Sequence, residues 1–193
     1  MDSNYFTNSE LAEIGFAEIG ENLLLSRDAK FYNPENISIK SNVRIDDFCI
    51  LSGKIEIGNY THLGSSSILI AGDAGITMED FSGISHKVCI FAQSDDFGGR
   101  SLISPMAPAE YRKIKKSKVV LCRHSLVGSG SVILPGSTLS EGTAIGAMSL
   151  VVRSTEPWTL YSGNPVRKIG SRSRKALKLG AELVPDLIVR DCE

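Results

Sequence analysis

The chain is short of the groups that fill an ordinary core. Aromatic residues are 7% of its 193, with one tryptophan. A wide globular interior needs large side chains to reach native packing density. A narrow, repetitive interior is expected instead. The net charge is −1, so nothing global calls for nucleic acid or an anionic membrane. No apolar run approaches the ~20 residues that span a bilayer as a helix. Cys49, Cys89, Cys122 and Cys192 form no Cys-x-x-Cys pair, and their spacing suggests no disulfide framework. The opening MDSNYFTNSE has no apolar stretch of the secretory kind, so a reducing cytoplasm is the expected location. Neither GxxxxGK[ST] nor GxGxxG occurs, so ATP or NAD chemistry is not expected.

What the chain does have is glycine, 18 in all, and a strict repeat. Steps of six from Leu121 reach Val127, Ile133, Leu139, Ile145 and Val151, all aliphatic. Four residues after the first five of these stand Ser125, Ser131, Ser137, Thr143 and Ser149, all small hydroxyl residues. The earlier half repeats the aliphatic part at Ile39, Ile45, Leu51, Ile57, Leu63 and Leu69. It shifts by three around Ala71–Gly75, then resumes at Met78, Ile84 and Ile90. A period of six fits neither a helix nor a simple strand. It fits a short strand plus a tight corner, three of which close one triangular coil. Coils then stack by parallel strand pairing at roughly 4.8 Å. The expected fold is all-β, a left-handed parallel β-helix with a long inserted loop and short terminal helices.

Three segments break the repeat. In residues 1–20, Thr7 and Glu10 have capping-box spacing, which predicts a helix near Ser9–Ile14. The β-helix domain is expected over 21–170, opening with an irregular coil at Leu23–Asn36. A loop over 95–118 interrupts it, and a loop this long in a compact repeat is usually functional. Residues 171–193 form the expected helical tail, basic and helix-compatible over Ser171–Leu179, with Pro185 closing any helix there.

The stretch VLCRHSLVGSGSVILPGSTLSEGTAIGAMSLVVRSTEPWTLYSGNPVRKI resembles the hexapeptide-repeat acyltransferases, in the galactoside and maltose acetyltransferase branch. The marks are the stacked hexapeptides, the loop after Ile90, the Ile145-Gly146-Ala147-Met148-Ser149 step and the closing Ser162-Gly163-Asn164-Pro165. SDDFGG and the loop after it are closer to surface-polysaccharide members, including those that N-acetylate perosamine. The resemblance covers about residues 20–170. It implies a homotrimer with sites between subunits, acetyl-CoA as co-substrate, no metal, and a sugar acceptor in O-antigen or surface-polysaccharide synthesis. A nucleotide-linked amino sugar is the expected acceptor. O-acetylation of a glycoside or polysaccharide hydroxyl is the alternative.

The repeat assigns side chains to corners. Ser65, His86, Ser129 and Ala147 share one. Tyr60, Asp80, Arg123 with His124, and Glu141 share the next. The Ala71–Gly75 turn, the loop and Pro135 share the third. The resemblance implies that the pantetheine arm of CoA runs along the first corner, with Ser129, Gly130, Gly146, Ala147, Pro165 and Lys168 as its contacts. The thioester then comes near His86, and Ser65 reaches the acceptor. A sugar hydroxyl must lose its proton as it attacks, and a histidine titrates near ~6.5. Backbone N–H groups at Ser129-Gly130 are candidate donors to the oxyanion. Galactoside-type members carry their catalytic histidine after the strand matching Ile90; this chain has Ser94-Asp95-Asp96 there. Asp95 and Asp96 are therefore further catalytic candidates, meeting His86 of the next subunit. Arg100, with Arg112, Lys113, Lys115 and Lys116, can meet sugar-nucleotide phosphates.

Each assignment has a plainer counterpart. His86 can be a solvated corner residue, and Asp95 and Asp96 can serve a turn before Phe97-Gly98-Gly99. His124 is expected at the surface, His62 as an outward wall residue, and Trp158 as packing for the last coil. Lys168, Arg172, Arg174 and Lys175 can be a solvated face or contact CoA phosphates. Two other classes share the fold: a zinc hydratase, which needs three histidines on one ion, and a non-catalytic spacer subunit.

Overall fold

The structure, a computed structural model, describes residues 4–185. Cys192 and the end of the expected tail lie outside them. Helix α1 spans Asn8–Ile14, and its N-terminus carries the predicted capping box: Thr7 and Glu10 satisfy each other's backbone donors. From there the chain coils. The register pairs Ile57 with Met78, Met78 with Leu121 and Leu121 with Leu139. It pairs Leu63 with Ile84, Ile84 with Val127 and Val127 with Ile145. It pairs Leu69 with Ile90, Ile90 with Ile133 and Ile133 with Val151. All these pairings are parallel, and they form the three columns expected from the repeat.

The interior is the aliphatic ladder. From Ile39 to Val151 the residues at the repeat positions are buried, as are Ser125, Ser131, Ser137, Thr143 and Ser149. A hydroxyl at those positions can reach a carbonyl of the neighbouring coil; Ser131 Oγ donates to the Gly146 carbonyl at 3.0 Å. The three-residue shift is a bulge. In the strand Ile68–Met78, Gly72 pairs with Gly53 and Ile76 with Ile55, so the residues between swell out at a corner.

Each corner turns through a left-handed residue, and these recur at coil spacing. One corner has Phe48, Ser66, Lys87, Gly130 and Met148; another has Tyr60, Phe81, His124, Gly142 and Trp158. The loop leaves through a two-stranded base, Gln93–Ser94 antiparallel to Lys115–Lys116. Lys116 Nζ also reaches Asp73 on the bulge at 2.8 Å. At the far end, Arg167–Ser171 runs antiparallel to Thr159–Ser162. The expected helix therefore starts later than its sequence pattern: α2 spans Lys175–Leu183, because Ser171 is taken by that last strand.

Candidate functional site

The corner that carries His86 is built from small residues. Gly64, Ser85, Gly128 and Gly146 occupy its first position on successive coils. A Cβ on Gly64 would lie 2.7 Å from the His86 nitrogen, and one on Gly128 would lie 2.5 Å from the Ala147 nitrogen. At Gly64 and Gly128 the next coil therefore stacks too closely for a side chain. Ser85 is the one hydroxyl among these four.

The second position brings together Ser65, His86, Ser129 and Ala147. Ser65 Oγ lies 2.9 Å from His86 Nδ1, which fixes the ring. The third-position amides carry the stacking: Gly130 donates to the His86 carbonyl at 3.0 Å and Met148 to the Ser129 carbonyl at 2.9 Å. Gly130 is thereby removed as an oxyanion donor. The amides of His86, Ser129 and Ala147 make no hydrogen bond among the described residues. A row of bare N–H groups along a corner of small residues suits an extended arm with amide carbonyls, as pantetheine has. The row continues upward through Ser162, which packs on Gly146, and Gly163, whose amide donates to Ser149 Oγ. Pro165 follows, exposed, after a cis bond from Asn164.

The other expected contacts are partly spent. Lys168 Nζ is 2.6 Å from Glu156 Oε2, and that carboxylate pushes the ammonium pKa up. Arg172 donates to the carbonyls of His124 and Gly142 at 2.6 and 3.0 Å. His124, expected at the surface, is half-buried. It lies flat on Phe81, with ring centres 5.0 Å apart, and beside Trp158. Burial lowers its pKa. His62 faces outward as expected, its Nε2 held 2.8 Å from Asp46 Oδ2. The three histidines thus stand at three separate places, and no shared pocket forms for a three-histidine ion.

The loop aspartates stand at a different corner from His86 of the same chain. Asp96 accepts from the amides of Gly98 and Arg100, both at 2.9 Å. Those donors hold its carboxyl below the usual carboxylate range. Its two oxygens shape the turn, with Arg100 itself mostly exposed beside it. Asp95 is exposed, and among the described residues no hydrogen bond engages its carboxylate. Under the loop is a cleft of ≈ 740 Å³ whose walls include Asp95, Lys113, Lys115, Leu134, Pro135 and Val152. Of the two loop aspartates that the sequence offers, the turn engages Asp96 and leaves Asp95 exposed. Ser85, not among the residues expected from the sequence, stands at the first position of the corner that carries His86, between Gly64 and Gly128.

No family model matches the chain. It is 39% identical over 187 residues to a dTDP-4-amino-4,6-dideoxy-D-glucose acyltransferase of Escherichia coli, over 95% of this chain and 97% of that one. A putative lipopolysaccharide biosynthesis O-acetyl transferase of E. coli K12 is 28% identical, over 70% of this chain and 68% of that one. Among solved structures, an N-acyltransferase of Bacillus cereus in complex with dTDP and 3-hydroxybutyryl-CoA superposes with a TM-score of 0.92. It is 44% identical, over 96% of this chain and 98% of that one. Crystallised variants of that enzyme replace a serine and an aspartate ten positions apart in its own numbering. With the stacked coils, the bare corner and a relative matched from end to end, the chain belongs to the hexapeptide-repeat acyltransferases.

Proposed function

We propose that the chain transfers the acyl group of acyl-CoA to the 4-amino group of a dTDP-linked 4-amino-4,6-dideoxy sugar, supplying surface-polysaccharide synthesis in the cytoplasm. The end-to-end match with an acyltransferase named for that sugar carries this reading. Acetyl is the acyl group expected from the sequence; the B. cereus relative holds a 3-hydroxybutyryl thioester.

The residues fit such a reaction. The only serine followed ten positions later by an aspartate in this sequence is Ser85 with Asp95, the spacing of the two positions varied in the B. cereus enzyme. Ser85 stands in the groove corner, and Asp95 is the loop carboxylate left free by its own fold. Asp95 takes the proton that the amine sheds as its N–C bond forms and the C–S bond of the thioester breaks. A bare corner amide stabilises the oxyanion on the way. Lys113 and Lys115, beside Asp95, face the sugar-nucleotide phosphates.

Asp95 and Ser85 occupy different corners of one chain, so the site is completed by a neighbour in a homotrimer. An apolar sheet face supports that assembly: Ile68, Cys89, Val132 and Leu150 form its central row, with Ile70 and Phe91 beside them, all half-buried. Purified protein mixed with acetyl-CoA and a panel of dTDP- and GDP-linked amino sugars and simple glycosides tests the reading through release of CoA thiol. Release only with dTDP-linked amino sugars is expected. Release only with hydroxyl acceptors would overturn N-acylation in favour of O-acylation.

A further inference from the structure

Sixteen of the 18 glycines have a conformational or steric reason: a left-handed φ, or a neighbour within 3.4 Å of where a Cβ would stand. Gly83 and Gly170 have neither. Gly170 lies on the final antiparallel strand. Gly83 lies mid-column in the strand that leads into Ser85 and His86. A Cβ there would sit 3.6 Å from the His62 carbonyl oxygen and 4.0 Å from Leu126 Cδ1, ordinary contact in both cases. The fold does not require glycine at this position. A strand glycine that the fold itself does not call for is often a site where a ligand or another backbone approaches closely.

The surroundings say what approaches. On the same outer face, Gly83 pairs with His62 on the coil before and with Leu126 on the coil after. His62 is fixed by Asp46, and Leu126 is 44% exposed. The missing side chain thus leaves a notch between a polar wall and an apolar wall, adjoining Ser85. We infer that this notch holds the pyranose ring of the acceptor and that Leu126 selects for a 6-deoxy sugar. The inference rests on the acyl transfer proposed above. In a 4-amino-4,6-dideoxyhexose, the carbon bearing the amine is flanked by a hydroxyl-bearing carbon and by one carrying a methyl. The walls match that pair, with the hydroxyl toward His62 and the methyl against Leu126. The bare backbone of Gly83 leaves room for the ring and lets the amine face Ser85. A 6-hydroxyl in place of hydrogen would be stripped of water against Leu126 with no partner.

The test is steady-state kinetics of the full chain with acyl-CoA and two acceptors: the dTDP-linked 4-amino-4,6-dideoxy sugar, and its counterpart that keeps the 6-hydroxyl. Gly83→Val should raise KM for the amino sugar roughly tenfold or more, and leave KM for acyl-CoA within about twofold. Gly83→Ala, whose Cβ meets only ordinary contacts, should keep the wild-type Tm and show a smaller rise. Leu126→Ala should cut the preference for the 6-deoxy sugar by roughly tenfold. An unchanged acceptor KM in both Gly83 variants, or an unchanged preference in Leu126→Ala, would overturn the inference while the parent activity stands. Loss of oligomeric mass in Gly83→Ala would overturn it in favour of a neighbouring subunit as the occupant. Wild-type protein inactive on both amino sugars would remove the parent reading and this inference together.

Discussion

Two corners of the β-helix are made by the same turn and filled in opposite ways. Both place a left-handed residue on every coil, Phe81 and His124 at one corner, Lys87 and Gly130 at the other. At the first, Tyr60, Phe81, His124 and Trp158 stack ring on ring, and α2 crosses them with Gly180 against His124. At the second, Gly128, Ser129 and Ala147 leave the backbone uncovered, and the amides of His86, Ser129 and Ala147 have no partner among the described residues. Exposed apolar rings and unpaired amides each carry a cost. The first corner removes its cost by packing. The second retains it, which is how a fold keeps a place for a ligand.

The largest expected difference between the two is in rate. Asp95→Ala should lower turnover by ~10²- to 10⁴-fold, the range for losing a positioned base. The Tm should stay at the wild-type value, because no hydrogen bond of the described chain engages that carboxylate. Asp96→Ala should instead lower both rate and loop order, since its oxygens hold two amides. Equal loss from the two variants at unchanged Tm would erase the distinction between them. His86→Ala gives the companion measurement: with Asp95 as the base its loss should stay below about tenfold, or ~1.4 kcal/mol of barrier, and a larger loss would return the base role to His86.

The packed corner should respond the other way. Trp158 is 5% exposed and lies over Gly142, where a Cβ would come within 2.4 Å of its ring. Trp158→Ala should cost about 3 kcal/mol of stability, as large-to-small changes in cores do, with kcat retained at a temperature where the variant is folded. Denaturant unfolding and thiol release on the same preparation check both. A fall in kcat at full folding would tie this corner to the site.

The columns and the inward residues were legible from the period alone, because a six-residue repeat leaves one arrangement in which every aliphatic residue points inward. The site was legible only in part. The corner of Ser129 and Ala147 followed from spacing, since stacking is one-dimensional. Ser85 carries no signal of its own, because it reads as one more small residue beside Gly64, Gly128, Gly146 and Ser162. Asp95 and Asp96 were indistinguishable because the turn that occupies Asp96 is built by backbone amides, which carry no sequence signal. The half-burial of His124 was hidden for a similar reason: it comes from rings 43 and 34 residues away, Phe81 and Trp158, and from α2, which the repeat does not describe.

The smallest expected effect is the pH response of the packed corner. Burial holds the His124 pKa below its ordinary 6.5, with Arg123 and Arg172 pushing the same way and Glu141 and Asp80 opposing. The unfolded chain therefore takes up this proton first as pH falls. Stability from the neutral ring is fully present above about 6.5 and declines as pH drops toward the folded-state value. His124→Phe keeps a ring between Phe81 and Trp158 and removes the titration. Its unfolding free energy should vary less than that of the wild type between about pH 7 and 5. Acid-sensitive carboxylates such as Glu10, held down to about 2 by Arg27 and Thr7, contribute equally to both proteins and cancel in the difference. Identical slopes would mean that the stacked ring is protonated as readily in the folded chain as in the unfolded one, and that the ring ladder does not exclude water from this corner.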